Sequence, residues 1–152
     1  MQSIIICKSV HQGNTEEVAE VMAEVLDCEV KEPEEVDGVE GYDLVGFGSG
    51  IYFTNFHESI FDLIEKVEGN SKAFIFSTSG LPNIRVLHDF EGKLKEKLED
   101  NDFEVVGSFN CRGYDDYGPL KYIDGIHNGR PNEKDLRNAG KFAKELIKDV
   151  EG

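Results

Sequence analysis

Hydrophobic positions along this chain alternate between two periods. Short unbroken apolar runs are typical of strands buried on both faces of a parallel sheet. Between them lie stretches whose apolar residues recur every three or four positions, as on the buried face of a helix. The predicted strands are 3–7, 28–31, 43–48, 72–77 and 103–109. The predicted helices are 14–26, 56–67, a third through Leu87, Phe90, Leu94 and Leu98, and a last one at 133–150.

This alternation predicts an α/β fold in one domain, residues 1–152. Repeated strand–helix–strand units imply a parallel sheet with helices on both faces. For five strands we expect a doubly wound sheet of order 2-1-3-4-5, in which ligands bind beyond the carboxyl ends of the strands where the order reverses. The segments after the first, third and fourth strands are therefore the candidates for chemistry.

The segment after the first strand is rich in hydroxyl and amide side chains. It reads Ser9-Val10-His11-Gln12-Gly13-Asn14-Thr15 and continues directly into a predicted helix. A helix start offers free N–H groups and the positive end of the helix dipole, which together favour an anion. An N-cap role would explain Asn14 or Thr15 but not the whole run. Since Lys8 at its edge is the nearest cation, we expect a phosphate held by neutral donors.

Two further segments of small and polar residues fall at the same expected edge. After the third strand comes Gly48-Ser49-Gly50-Ile51-Tyr52-Phe53, interpreted as a loop whose bare backbone approaches a flat ring that Tyr52 or Phe53 covers. After the fourth strand comes Ser77-Thr78-Ser79-Gly80, which supplies small hydrogen-bonding groups. Each segment alone is consistent with ordinary turns. Their coincidence at the switch point favours a binding site.

Several common sites are not supported. The Walker pattern for nucleoside triphosphates is absent, and Ile51 breaks the G-x-G-x-x-G dinucleotide pattern that begins at Gly46. The scattered histidines and the three cysteines, Cys7, Cys28 and Cys111, lack the spacing of a zinc site. The cysteines indicate reduced thiols and a cytoplasmic protein.

The three segments together resemble the flavodoxin family, and in particular its short-chain members. Residues 9–15 resemble the family's hydroxyl-rich phosphate loop, and residues 46–53 are similar to its second flavin loop. The resemblance implies bound FMN, with the phosphate at 9–15, the ring lined by Gly48 to Phe53, and its pyrimidine edge at Ser77 to Gly80. It covers essentially the whole chain.

The net charge of the chain adds expectations about its partners and about the potential of a bound flavin. The chain carries 16 Lys and Arg against 31 Asp and Glu, a net charge of −15. Such a chain repels nucleic acid and anionic membrane surfaces, and it favours redox partners with basic docking surfaces. Carboxylates around a flavin disfavour the negative charge added on reduction and so lower its potential, by roughly 59 mV for each ~1.4 kcal/mol in a one-electron step. We therefore expect a low-potential electron-transfer protein.

Two other functions remain open. One is an FMN-dependent oxidoreductase of the quinone or flavin reductase type, with a substrate pocket under the long segment 110–132. That segment is equally consistent with a surface loop that makes no flavin contact. The other is an interaction module of the same fold that holds no flavin.

Overall fold

The first strand forms the interior of the sheet because Ile4, Ile5 and Ile6 are apolar on both of its faces, and all three are buried. The computed structural model describes residues 1–8, 14–52, 55–56, 58–78, 84–111 and 133–151. The strands in these ranges are β1 (Ser3–Lys8), β2 (Glu29–Lys31), β3 (Leu44–Tyr52), β4 (Asn55–Phe56), β5 (Lys72–Thr78) and β6 (Glu104–Cys111). The helices are α1 (Asn14–Leu26), α2 (Glu58–Lys66), α3 (Ile84–Asp100) and α4 (Glu133–Glu151), with a short 3-10 helix at Pro33–Glu35.

The main sheet is parallel and has the order β2-β1-β3-β5-β6. This is the predicted order 2-1-3-4-5 once the two-residue β4, which pairs antiparallel with β3, is set aside. The predicted doubly wound α/β fold is confirmed. The order reverses between β1 and β3, so the carboxyl ends of these two strands flank the expected binding position.

Each face of the sheet carries its own apolar cluster. One cluster joins alternate residues of β1, β3 and β5 to α2 and α3, through side chains such as Phe47, Ile64 and Leu98. The other joins the intervening residues to α1 and α4, through side chains such as Met22 and Phe74. Helices therefore cover both faces, which explains why the strands are almost continuously hydrophobic.

The principal departure from the sequence prediction is the length of β3. The segment Gly48 to Tyr52 is strand, not the expected loop, and it is followed by β4. A Cβ on Gly48 would lie 2.0 Å from Cζ of Phe76, and one on Gly46 would lie 2.3 Å from Cζ of Phe74. Both glycines thus make room for aromatic rings of the neighbouring strand. Gly48 is therefore required for packing within the sheet.

The helices follow the predicted pattern with smaller differences. The bounds of α1 agree with the prediction, α2 begins later because β4 occupies its expected first residue, and α4 ends at Glu151. Leu94 and Leu98 are buried as predicted, whereas the side chains of Leu87 and Phe90 lie outside the described part. Among the described residues no helix has the length and apolar content needed to cross a membrane.

Candidate functional site

Polar residues form a continuous row across the carboxyl edge of the sheet. Lys8 of β1 lies opposite Ser49 of β3, Ser49 lies opposite Ser77 of β5, and Ser77 lies opposite Asn110 of β6. Ser49 and Ser77 are fully buried. Because parallel strands end at the same edge, residues that are far apart in sequence converge here. Two of the three predicted segments are thereby brought together.

The third segment joins them through a pair of hydroxyl groups. Thr15, the second residue of α1, places its Oγ1 2.6 Å from Oγ1 of Thr78, the last residue of β5, and both side chains are buried. A hydroxyl has one donor and two acceptor positions, so the pair uses one O–H and leaves the other free to donate. The bond fixes the start of α1 against the edge of the sheet and retains one hydrogen-bond donor.

Asn110 is a residue of this edge that sequence reasoning did not place in the site. Its Nδ2 donates to Oγ of Ser77 at 2.8 Å and lies 3.3 Å from the Ser77 carbonyl oxygen. The sequence prediction ended the strand at Phe109, whereas β6 continues to Cys111. Extending the strand by one residue would have aligned Asn110 with Ser77, which is the signal that could have revealed it.

The electrostatic character of the edge is neutral to acidic. Nζ of Lys8 lies 3.2 Å from Oε1 of Glu34, so its charge is already paired. The pKa of the Cys7 thiol is raised to about 12, first by burial and then by the carboxylates of Glu16, Glu32 and Glu20. The field at this end of β1 therefore disfavours added negative charge.

The structure describes the predicted site residues in part. For some of these residues the structure describes the backbone alone: Asn14, Ile51 and Tyr52. For others it also describes burial and contacts: Thr15, Gly48, Ser49, Gly50, Ser77 and Thr78. Outside the described residues lie Ser9, Val10, His11, Gln12, Gly13, Phe53, Ser79 and Gly80, and the segment 112–132. The roles assigned to all of these residues in holding a cofactor remain predictions.

The family follows from comparison with known proteins. A family model described as a flavodoxin domain matches residues 4–115, about three quarters of the chain. This chain belongs to the flavodoxin family. It is also 42% identical, over 98% of its length, to the full length of an uncharacterized protein of Methanocaldococcus jannaschii. Membership of the flavodoxin family implies flavin binding.

Solved structures agree on the fold. The chain superposes on a flavodoxin from the domain Archaea with a TM-score of 0.72 at 16% identity, covering 100% of both chains. It superposes on oxidised flavodoxin 2 from Bacillus cereus with a TM-score of 0.73 at 19% identity, covering 98% of this chain and 99% of the other. At these identities the likeness establishes the flavodoxin-like fold.

The described part of the edge fits a flavin phosphate. The first turn of α1 presents backbone N–H groups with no partner inside the helix, and these favour an anion. The buried Thr15–Thr78 pair adds one O–H that remains able to donate. Because Lys8 is paired with Glu34, the donors described here are uncharged.

Proposed function

We propose that this flavodoxin binds FMN and acts as a low-potential electron-transfer protein between redox partners. The observation that supports this most is the Thr15–Thr78 bond, which joins the start of α1 to the carboxyl end of β5. Through it the predicted phosphate segment and the predicted ring segments share one edge of the sheet. FMN supplies one-electron chemistry when bound, and the chain supplies its binding, orientation and electrostatic surroundings.

In this proposal the phosphate is held by residues 9–15, with the amides of the first turn of α1 as donors. Thr15 both donates to the phosphate and accepts from Thr78, because one hydroxyl can do both. The isoalloxazine ring lies against Gly48 to Phe53, with Gly50, Ile51 and Tyr52 at the end of β3. Its pyrimidine edge meets Ser77 to Gly80.

The acidic surroundings support a low potential. Burial, and after it the carboxylates of Glu16, Glu32 and Glu20, raises the pKa of Cys7 to about 12. The same carboxylates disfavour any negative charge gained by a group at this edge on reduction. Replacing Glu16 and Glu20 with Gln is therefore expected to raise the reduction potential of the bound flavin, which spectroelectrochemistry measures. The exposed Glu99 and Asp100, at the far end of α3, provide a matched control pair.

We further propose that the partners present basic docking surfaces and that the protein works in the cytoplasm. The net charge of −15 supports steered encounter with such partners. Cys7 and Cys28 are free thiols, which is consistent with a reducing compartment.

The test is a titration of flavin-free protein with FMN and, separately, with riboflavin, which lacks the phosphate. We expect one FMN per chain and much weaker binding of riboflavin. Asn14→Ala and Thr15→Val are expected to weaken FMN binding about tenfold, since each removes a hydrogen bond of about 1.5 kcal/mol to a charged group. Neither substitution should change the affinity for riboflavin.

The titration also separates the proposal from its alternatives. A protein that binds neither flavin would be an interaction module and would contradict the proposal. A protein that binds FMN and rapidly oxidises NADH or NADPH in the presence of a quinone would be an oxidoreductase. Electron exchange with redox proteins but slow turnover of nicotinamides is the result expected for the carrier.

A further inference from the structure

A surface groove of about 440 Å³ lies between α1 and α4. Its apolar lining comes from the half-buried Val21 and Val25 of α1 and Leu136 of α4. A Cβ at Gly140 of α4 would make ordinary van der Waals contact with Val21, 3.7 Å from its Cγ1, and would fill part of the groove. The absence of a side chain at Gly140 therefore leaves the groove wider. The two helices therefore leave an apolar strip at the surface.

The basic side chains of α4 form one cationic stripe beside this groove. They recur at intervals of three, four, three and four residues and are all exposed: Lys134, Arg137, Lys141, Lys144 and Lys148. The stripe is about 21 Å long at 1.5 Å per residue. None of the five forms an ion pair with another described residue. Helix α4 also carries the exposed acidic residues Glu133, Glu145, Asp149 and Glu151, and Glu133 contributes to the groove lining. The cationic stripe is therefore one side of a helix that has no net charge.

The opposite side of the groove carries the complementary charge. Helix α1 contains no Lys or Arg, and Glu17, Glu20 and Glu24 are exposed on it. The face formed by α1 and α4 thus has an acidic stripe, an apolar groove and a cationic stripe, side by side.

The two helices run in the same direction. Helix α1 starts at the carboxyl edge of the sheet, where Thr15 bonds to Thr78, and returns to the amino edge before β2. Helix α4 ends at the amino edge, where Oε1 of Glu151 lies 3.9 Å from the amino group of Met1. The acidic and cationic stripes are consequently parallel to the groove that separates them.

We infer that a second copy of this chain docks on this face and forms a two-fold symmetric dimer. A two-fold axis parallel to the groove places α1 of one protomer over α4 of its partner, twice, so each acidic stripe meets a cationic stripe. The two apolar grooves meet at the axis. An axis across the groove would instead oppose glutamates to glutamates, so charge selects the first arrangement.

The area of the face formed by α1 and α4 determines how strongly the two protomers are expected to associate. Two helices of 13 and 19 residues cover a face roughly 25 Å long and 20 Å wide. This corresponds to the lower end of specific interfaces. The dimer is therefore dissociable, and its formation depends on protein concentration.

Sedimentation velocity of the full chain, with and without FMN, measures the association. In about 0.15 M salt the Debye length is near 8 Å, so the overall repulsion between two acidic chains is screened. We expect the mass to rise with concentration from 17.0 kDa towards twice that value. A mass of one chain at every concentration up to about 1 mM overturns the proposal.

Charge reversal identifies the surface. Variant A carries Lys141→Glu and Lys144→Glu, and variant B carries Glu17→Lys and Glu24→Lys. In a dimer of either variant with itself, α1 and α4 of the two protomers would face each other with like charges in both halves of the interface. Each variant alone is therefore expected to remain monomeric. An equimolar mixture of A and B is expected to dimerise, because α1 of A then meets α4 of B with native charges and α4 of A meets α1 of B with both charges reversed.

The control keeps the net charge of variant A but moves the change elsewhere. Lys93→Glu with Lys95→Glu alters two exposed lysines of α3 and is expected to dimerise like the wild type. Dimers of A alone, or no recovery on mixing, overturn the proposal. A monomeric wild type that binds an acidic helical peptide in the groove also overturns it and assigns the face to a different protein.

Discussion

The two edges of the sheet are held together by different kinds of hydrogen bond. At the carboxyl edge, neutral side chains that are buried or half-buried bond to one another: Thr15 to Thr78, and Asn110 to Ser77. At the amino edge, the bonds involve the backbone on at least one side, as in the bond from the amide of Asn70 to the carbonyl of Asp102 and the bond from the Ser71 hydroxyl to the carbonyl of Tyr42. A side-chain hydroxyl can change partner when a ligand arrives, whereas a backbone bond within a turn is already satisfied. At the carboxyl edge, hydrogen bonds therefore join side chains of different elements, whereas at the amino edge they close turns of the backbone.

Among the described residues, the amino edge has a cavity of about 610 Å³, larger than the groove between α1 and α4. Its lining includes the charged Asp43, Lys72 and Asp102, and its openings to solvent leave these side chains hydrated. Among the described residues, buried hydroxyl groups distinguish the carboxyl edge better than volume does.

The largest expected effect comes from Gly48→Ala. Its Cβ would meet the ring of Phe76 at 2.0 Å, so we expect a loss of about 3 kcal/mol in the free energy of unfolding, measured by urea denaturation. Gly92→Ala on the exposed side of α3, where nothing lies within 4 Å of the new Cβ, should instead gain about 0.5–1 kcal/mol. A Gly48→Ala protein of unchanged stability that no longer binds FMN would show that this glycine serves the ligand and not the sheet.

The second effect concerns pH and the two described thiols, one near each edge. Burial, then neighbouring carboxylates, raise the pKa of Cys7 to about 12 and that of Cys28 to about 11. A thiol whose pKa is raised on folding stabilises the fold below its unfolded pKa and loses that contribution as pH rises through the folded value. Stability should therefore fall between pH 9 and 12, by roughly 3 kcal/mol at pH 11 from Cys7 alone.

Chemical denaturation at pH 8 and pH 11 checks this. Cys7→Ala should reduce the difference between the two pH values more than Cys28→Ala does, because Cys28 is half-exposed. Equal differences in wild type and Cys7→Ala would contradict the assignment.

The third effect tests the hydroxyl pair by a double-mutant cycle. Thr15→Val or Thr78→Val alone leaves a buried hydroxyl without its partner and should cost about 1–3 kcal/mol of stability. The double variant should cost less than the sum, because two apolar groups of the same shape leave no unsatisfied donor. Additive costs would mean that the two hydroxyls act independently.

The smallest expected effect comes from removing one side-chain hydrogen bond at each edge and comparing the two variants. Asn110→Ala and Ser71→Ala each remove a half-buried hydrogen bond, to Ser77 and to the carbonyl of Tyr42 respectively, and each should cost about 1 kcal/mol. Isothermal titration with FMN should show weaker binding only for Asn110→Ala. Equal affinities in the two variants would remove Asn110 from the site.

Features that depend on residues close in sequence could be predicted, whereas features that depend on contacts between distant residues could not. The bounds of α1 were predictable because its apolar spacing is local, and the sheet order followed from the alternation of elements. The full length of β3 was not, because Gly48 suggests a loop until Phe76, on another strand, is seen to fill its place. The Thr15–Thr78 bond joins residues 63 positions apart, and only the fold reveals it.

The most direct test of the central claim, that the flavin binds at the carboxyl edge, is an amide chemical-shift titration with FMN. We predict that the largest changes among the described residues occur at Thr15, Gly50 and Thr78, with none beyond the noise at Asn70 and Asp102. The largest changes at the amino edge, or no changes at saturating FMN, would contradict the account.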